Sequence, residues 1–388
     1  MEIENITSLC TGCSACYVSC LKSAIVMEFD SEGFYYPKID SDLCIKCNAC
    51  AKACHILNPI KTNNDISDRT SFYGWINNYS IRRNSSSGGI FSAISNIVLD
   101  KGGVVYGAFF DVEKRLLEHC STEKVELSKL CKSKYIESKT DSAFKEIIEH
   151  LQNDRLVLFC GTPCQVSGLK RICQHVNCSE EKLITVDFIC HGIPSALLFQ
   201  NHLDSVLKRN EVLEDISFRQ KEYGWESKNI CIKTNKRCIL RPYMFDSFYA
   251  GFLKENVFLR KSCYNCMFRR NHLSDITLAD FWGYRSVSDA INDGKGLSLV
   301  IANSYKGKEI VDIVQENSTL NEIDNCFSDY VYEEKDYLGA RCLRDSFYDY
   351  YFKYGFEYAA KVVYMKRLEH NYFLYKCKNV LKHLIFRG

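Results

Sequence analysis

Short apolar runs alternate with polar and glycine-rich segments along most of the chain. Near the amino terminus, residues 24–27 and 34–37 are apolar and flank turn-forming residues 30–33, which predicts two strands joined by a turn. From Ser71 onward, strand-like runs alternate with segments of helical apolar spacing, which predicts an α/β domain. The tail from Lys306 carries aromatic residues at helical spacing, and we expect it to be helical.

Composition narrows the classes of function. The chain has 388 residues, of which 46% are hydrophobic and 25% charged, as in an ordinary soluble globular protein. The formal net charge of +2 gives no reason to expect nucleic acid or an anionic membrane as the main partner. No run of about 18 apolar residues is present, so no membrane span is predicted. Residues 1–5 are polar and acidic, unlike a secretory signal, and we expect a cytoplasmic protein.

The chain holds 22 cysteines, and eight of them form two copies of the spacing C-x2-C-x2-C-x3-C. This spacing is typical of bacterial ferredoxins with two [4Fe–4S] clusters. In such runs three thiolates bind one cluster, and the fourth, one helical turn further on, binds the other. The predicted ligands are Cys10, Cys13, Cys16 and Cys54 for the first cluster, and Cys44, Cys47, Cys50 and Cys20 for the second.

Zinc and disulfide bonds are the alternative explanations of these cysteines. Structural zinc sites usually pair two-cysteine knuckles, and disulfides fit neither this spacing nor a chain without a secretory signal. The proline that usually follows the fourth cysteine is replaced by Leu21 and His55, but proline does not bind iron. We therefore expect two [4Fe–4S] clusters.

These patterns predict the fold class and a division of the chain into four regions. An α+β ferredoxin-like N-terminal domain covers residues 1–60, and a polar linker covers residues 61–70. An α/β domain with a mostly parallel sheet follows over residues 71–305. Residues 306–388 form the helical C-terminal tail.

Three loops of small residues in the α/β domain are candidate ligand sites. Residues 85–89, Ser-Ser-Ser-Gly-Gly, precede a helix-like segment and could offer free N–H groups to a phosphate. The same loop could instead be the serine cap of that helix. Residues 160–165 and 190–195 each follow an apolar strand, and open sheets bind ligands at the carboxyl ends of their parallel strands.

Cysteines in these loops suggest a further site. Cys263 and Cys266 have the spacing C-x2-C, which suits zinc or thiol redox chemistry. With Cys164 and Cys190 they could form a third [4Fe–4S] site. Cys160 is an alternative to Cys164 as a ligand of this site, although its position on the strand predicts that its side chain points to the opposite face of the sheet.

Five segments in order resemble one family. They are residues 85–89, 161–165, 190–195, 218–225 and 263–283. Together with the cysteine runs, they resemble the coenzyme F420 hydrogenase/dehydrogenase beta-subunit family over roughly residues 1–310. The resemblance implies a flavoprotein that carries FAD and iron–sulfur clusters, and it favours the third cluster at Cys164, Cys190, Cys263 and Cys266.

The resemblance also suggests residues that contact FAD. The candidates are Ser87, Gly88, Gly89, Gly161, Thr162, Gly192 and Asp280. Asp280 could contact a ribose or ribityl chain, or it could cap a turn. His191 is a candidate proton donor, although its loop position also suits a turn hydrogen bond.

The sequence thus predicts an iron–sulfur flavoprotein oxidoreductase. Electrons would pass from a ferredoxin-like donor through the [4Fe–4S] clusters to FAD and on to a small-molecule two-electron acceptor. The alternative is an electron-transfer subunit that relays electrons to a partner oxidoreductase subunit and has no substrate of its own. A third hypothesis is an iron–sulfur protein with a structural or sensing role.

Overall fold

The structure is a computed structural model that describes residues 2–60, 69–221, 224–287, 293–324 and 338–366. The predicted linker lies largely on residues 61–68, outside the described residues. In the described ranges the strands are β1 Ile25–Phe29, β2 Tyr35–Ile39, β3 Thr70–Ile76, β4 Val104–Asp111, β5 Leu116–Ser121, β6 Ser138–Lys139, β7 Val157–Cys160, β8 Leu183–Phe188, β9 Leu213–Gln220, β10 Asn229–Thr234, β11 Cys238–Pro242, β12 Ile276–Asp280, β13 Ser298–Ala302 and β14 Ser318–Ile323.

The α-helices of the same ranges are α1 Ala15–Val18, α2 Ala49–Ala53, α3 Tyr79–Asn84, α4 Ile90–Asp100, α5 Leu127–Leu130, α6 Asp141–Gln152, α7 Pro163–His175, α8 Ala196–Val206, α9 Ser247–Tyr249, α10 Tyr305–Val314, α11 Leu338–Tyr354 and α12 Phe356–Ala360. Short 3₁₀ and π turns connect several of them. None of the helices in the described ranges has both the length and the apolar character that crossing a bilayer requires.

The amino-terminal unit, residues 2–60, is built around the β1–β2 hairpin. Its strands are antiparallel, with Met27 opposite Pro37, and both were predicted from the apolar pattern. Each cysteine run turns through a left-handed residue, Ser14 (φ 63°) or Asn48 (φ 58°), into the short helix α1 or α2.

A nine-stranded sheet in the order β14-β3-β13-β12-β8-β7-β4-β5-β6 forms the body of the protein. Its centre, β12-β8-β7-β4, is parallel. On one side β13, β3 and β14 pair antiparallel, and on the other β5 is antiparallel to β4. The predicted fold class is confirmed, with the parallel pairing concentrated at the centre of the sheet.

Helices cover both faces of this sheet because successive side chains of a strand point to opposite faces. Val105 and Leu158 pack with the residues of α4 and α10, whereas Tyr106 and Phe159 pack with those of α6 and α7. All four side chains are buried. The loops that follow the parallel strands β7, β8 and β12 therefore share one edge of the sheet.

Two β elements were not predicted from the sequence. β14 lies inside the tail expected to be helical, and it extends the sheet by pairing with β3, where Ser318 lies opposite Ile76. Strands β9, β10 and β11 form a separate antiparallel sheet. The large apolar residues of β14 are Leu320 and Ile323, so its own sequence carries little strand signal and its pairing with β3 decides its conformation.

A fully buried ion pair between α8 and the start of α9 also contacts a C-terminal helix through Glu357. His202 of α8 lies 3.0 Å from Asp246, which caps α9, and 3.6 Å from Glu357 of α12. Burial lowers the pKa of His202, but the two carboxylates outweigh it and raise the pKa from 6.5 to about 9. The folded protein therefore holds this proton more tightly than the unfolded chain does.

We expect the protein to lose stability between pH 6.5 and about pH 9 because of this histidine. The stabilisation is complete at low pH, where His202 is protonated in both states, and it is lost as the pH rises through the folded pKa. The free energy of unfolding should fall by up to about 1.4 kcal/mol per pH unit in this window. Thermal unfolding measured across the window checks this, and His202→Gln should flatten the profile. The same pH dependence in both proteins would contradict the prediction.

Candidate functional site

The predicted ligands of the first cluster line one small cavity in the amino-terminal unit: Cys10, Cys13, Cys16 and Cys54. We call these four residues the inner thiol group. Burial and the other three thiols raise the pKa of Cys16 well above its usual value. Thiols that repel one another when ionised are suited to a shared metal centre, because the metal binds the thiolate form. The inner thiol group thus fits a cluster because its four thiols line one cavity and supply the four-cysteine donor set that a [4Fe–4S] cluster uses.

The predicted ligands of the second cluster lie nearer the surface: Cys44, Cys47, Cys50 and Cys20. We call them the outer thiol group, and Cys47 is exposed. Burial, followed by the thiols of Cys20 and Cys44, raises the pKa of Cys50. The N–H of Ala24 donates to Cys20 Sγ (3.3 Å), and that of Lys46 donates to Cys44 Sγ (3.4 Å). Cys20 therefore lies with the second cysteine run, and Cys54 with the first, which is the crossed arrangement that two clusters need.

A third set of thiols meets at the edge of the large sheet. It comprises Cys164 at the start of α7, Cys190 after β8, and the pair Cys263 and Cys266. Burial and the other three thiols raise the pKa of Cys164 well above its usual value. We call this set the body thiol group. It brings together three segments that are distant in sequence.

The spacing of these side chains differs from that of a single-ion site. In the part of the chain that the structure describes, no group of three or more His, Cys, Asp or Glu side chains is arranged to hold one metal ion. A cubane of four irons and four sulfides is larger than an ion, so its four thiolates stand further apart. The three thiol groups are therefore candidate cluster sites.

A cavity of about 670 Å³ opens beside the body thiol group, at the carboxyl edge of the parallel strands. Its volume is that of a typical cofactor site. Cys190 lines this cavity and also interacts with the thiols of Cys263 and Cys266. Most of the predicted cofactor-binding residues line the cavity as well: Ser87, Gly89, Gly161, Thr162, Gly192 and Asp280.

Gly88 is the exception, because it lies behind the loop. Its N–H donates to Ser298 Oγ (2.9 Å), and a Cβ on Gly88 would lie 2.4 Å from the carbonyl oxygen of Gly74. The neighbouring Ser87 hydroxyl donates to Leu297 O (2.8 Å). Helix α4 begins at Gly89 without a side-chain cap, so the alternative of a serine-capped helix is wrong. The loop is instead fixed against β3 and the start of β13.

The charges around the cavity favour an anionic ligand. The cations that line it are Lys132, Lys134, Arg219, Lys228 and Arg269, and its carboxylates are Asp187 and Asp280. Both carboxylates already have protein partners. Asp187 lies 2.8 Å from His272 Nδ1, and Asp280 accepts from Arg219 and from Trp225 Nε1 (2.9 Å). The excess of cations therefore faces the cavity, while the contact of Asp280 with a sugar stays a prediction.

The two cavity residues His191 and Cys160 have clear partners. His191 Nε2 lies 2.6 Å from Asn256 Oδ1 and 3.2 Å from Phe252 O. Because a carbonyl oxygen only accepts, Nε2 carries a proton. Both partners lie more than sixty residues away, so this contact joins the loop to a distant segment and is not the expected turn hydrogen bond. Cys160 interacts with Asp187 and Lys134 and faces the cavity. The catalytic role of His191 stays a prediction.

Several cavity residues were missed by the sequence analysis. His119 is buried between Ser138 Oγ (2.8 Å) and Cys160 O (3.0 Å), and burial lowers its pKa to about 4. Trp282 stacks on Trp225 with ring centroids 4.6 Å apart. His119 comes from a segment without a recognisable motif, whereas Arg219, Trp225 and Trp282 lie in segments that carried the family resemblance.

Comparison with known proteins agrees with this arrangement. Residues 9–56 match the 4Fe-4S dicluster domain, and residues 154–325 match the family described as the C terminus of the coenzyme F420 hydrogenase/dehydrogenase beta subunit. The protein is thus an iron–sulfur electron-transfer protein with an oxidoreductase role. It joins a dicluster domain to the C-terminal domain of the coenzyme F420 hydrogenase/dehydrogenase beta-subunit family, and the predicted family is confirmed.

The chain is also similar to a solved structure. A chain from a xenon-derivatised F420-reducing [NiFe] hydrogenase complex of Methanosarcina barkeri is 14% identical, with a TM-score of 0.48. The alignment covers 72% of this chain and 92% of that chain. No curated protein gives a significant match.

Proposed function

We propose that the chain passes electrons from a ferredoxin-like donor, through [4Fe–4S] clusters held by the three thiol groups, to FAD in the large cavity and on to a small two-electron acceptor. One observation carries this proposal: Cys190 belongs to the body thiol group and also lines the cavity. A cluster held by that group would have one of its ligands in the wall of the cofactor site. Electrons would then cross from metal to cofactor without leaving the protein.

The cavity suits FAD in its charge and its backbone. When bound, FAD joins the one-electron chemistry of clusters to the two-electron reduction of an organic acceptor. Residues 85–87, Gly89 and the first turn of α4 line the cavity, and helix N-termini bind phosphate groups through their free N–H groups. The surplus cations supply the charge that a pyrophosphate needs.

The outer thiol group provides a route for electrons to enter. Cys47 is exposed, and three large apolar side chains next to cysteines of this group in sequence are also exposed: Leu21 (96%), which follows Cys20, and Leu43 (52%) and Ile45 (63%), which flank Cys44. We call Leu21, Leu43, Ile45 and Cys47 the entry surface. Exposed apolar residues beside a redox centre favour contact with a protein partner over a small reductant.

Negative charges on the entry surface should weaken electron transfer from a protein donor but not from a small reductant. We expect the double substitution Leu21→Asp and Ile45→Asp to raise the KM for a ferredoxin-like donor about tenfold or more, because two apolar contacts are lost. Reduction by dithionite should be unchanged. Val212→Asp is the matched control, since Val212 is as exposed (62%) but lies on the body, just before β9. If the double variant and Val212→Asp changed reduction by the protein donor and by dithionite to the same extent, the entry surface would be excluded as the docking site.

Anaerobic purification followed by iron counting and flavin extraction tests the proposal directly. Three clusters predict about twelve irons per chain, together with one FAD. Full iron content without flavin would overturn the FAD assignment and leave the electron-transfer subunit as the function. Zinc in place of iron would overturn the whole proposal.

A further inference from the structure

Arg260 is a fully buried cation (1% exposed) at the junction between the amino-terminal unit and the body. Its Nε donates to Cys10 O (2.7 Å), and its Nη2 donates to Tyr35 O (2.7 Å) and lies 3.7 Å from Cys10 Sγ. Nη1 pairs with the buried carboxylate of Glu137. The guanidinium also lies over the Tyr36 ring at 4.2 Å. Every donor group of Arg260 that these contacts describe is thus directed at the inner thiol group or at residues beside it.

The backbone of Arg260 is hydrogen-bonded to residues of the body thiol group and of the loop beside it. Its N–H donates to Ile193 O (2.8 Å), and its carbonyl oxygen accepts from the N–H of Cys263 (2.9 Å). Ile193 in turn donates its N–H to Cys263 Sγ (3.4 Å). The backbone of Arg260 therefore fixes the turn that carries Cys263, and its side chain holds the segment that carries Cys10.

We propose that Arg260 is a positioning residue that raises the reduction potential of the cluster at the inner thiol group and holds that cluster beside the body thiol group. The proposal rests on the proposed function in its assignment of clusters to these thiols. Reduction adds one negative charge to a cluster, and burial disfavours that charge. A nearby guanidinium and N–H···S contacts favour it, and both raise the potential. The contacts of Arg260 given above include no residue of the outer thiol group, so the potential of the cluster there should not depend on Arg260.

A second buried arginine supplies a matched control. Arg344 (6% exposed) pairs with Glu32 in the β1–β2 turn, donates to Leu259 O (3.4 Å) and lies over the Tyr348 ring at 4.6 Å. It therefore also ties the amino-terminal unit to the body through a buried arginine–glutamate pair. Its hydrogen bonds within the described residues involve Glu32 and Leu259 and no cysteine.

The test is an anaerobic redox titration of the whole protein, followed by electron paramagnetic resonance. The double variant Arg260→Gln/Glu137→Gln removes both charges of one pair, and Arg344→Gln/Glu32→Gln does the same to the other. We expect the first variant to shift the signal of the inner cluster most to lower potential. The body cluster should shift less, because Arg260 is hydrogen-bonded to the backbone of Cys263, and the outer cluster should not shift. The second should shift none. The signal that shifts most should be the one lost in Cys16→Ala.

Three results would overturn the inference. They are no shift in the Arg260 variant, an equal shift of all signals, or an equal shift in the Arg344 variant. If the double variant loses its iron, Arg260→Lys replaces it, because lysine keeps the charge but not the fork, and a smaller downward shift is expected. Loss of iron from Arg260→Lys as well, with iron retained in Arg344→Lys, would show a purely structural role. Wild-type protein with clusters but no flavin would refute the FAD assignment while leaving this test intact.

Discussion

Replacing Cys190 by alanine should lower the iron content from about twelve to about eight atoms per chain and reduce acceptor turnover roughly a hundredfold or more. Cys190 is the thiol shared by the body thiol group and the large cavity. Without it, a cluster in that group would have three protein ligands and lose its contact with the cofactor site. The inner and outer thiol groups lie in the amino-terminal unit and should keep their clusters.

Cys160→Ala is the control for this substitution. Cys160 lines the same cavity, at the end of the neighbouring strand β7, and interacts with Asp187 and Lys134. Its removal should leave the iron content unchanged. Iron analysis and electron paramagnetic resonance of both variants test whether the body thiol group holds a cluster. Twelve irons in Cys190→Ala, or an equal loss in Cys160→Ala, would contradict the assignment of the body thiol group as a cluster site.

Gly88→Ala should release most of the flavin while the iron content stays at its wild-type value. The added Cβ would lie 2.4 Å from Gly74 O and 3.0 Å from the Ser298 nitrogen, and both belong to sheet strands that cannot easily move. The loop must therefore shift toward the cavity. Overpacking of this kind destabilises a protein by about 1–3 kcal/mol. We expect flavin affinity to fall about tenfold or more, measured by the flavin retained after dialysis.

Gly102→Ala separates the loop effect from a general loss of stability. Gly102 follows the other end of α4 and has a φ of +73°, and a Cβ added to it would meet no other group within 4 Å. Alanine there strains the backbone by about 1 kcal/mol but does not touch residues 85–89. Flavin content should be unchanged in this variant. Equal flavin loss in both variants would show that the loop has no special part in cofactor binding.

The thiol groups of the amino-terminal unit could be predicted because their information is local. The spacing of each run sets the turn, and the offset between runs sets the crossed arrangement, so Cys20 and Cys54 could be placed without a structure. The β1–β2 hairpin follows from apolar runs around a turn for the same reason. The contacts of this unit with Arg260 and Arg344 could not be predicted in the same way, because those residues are more than two hundred positions away in sequence.

The cavity could be predicted only in part because many distant segments form it. The loop at residues 85–89 was recognised by its glycines, but Gly88 proved to pack against β3 while its neighbours face the cavity. His119 and Lys134 lie in segments whose sequence resembles ordinary strand and loop. Their roles arise from burial beside other loops, which no local pattern reports. β14 was missed for a similar reason, since its partner strand β3 is more than two hundred residues earlier.

The buried contact between Glu32 and Arg344 has a consequence for biosynthesis. The carboxylate of Glu32 pairs with a guanidinium 312 residues later in the chain. The contact can therefore form only after translation has passed Arg344, and the amino-terminal unit reaches its final packing later than its own residues are synthesised.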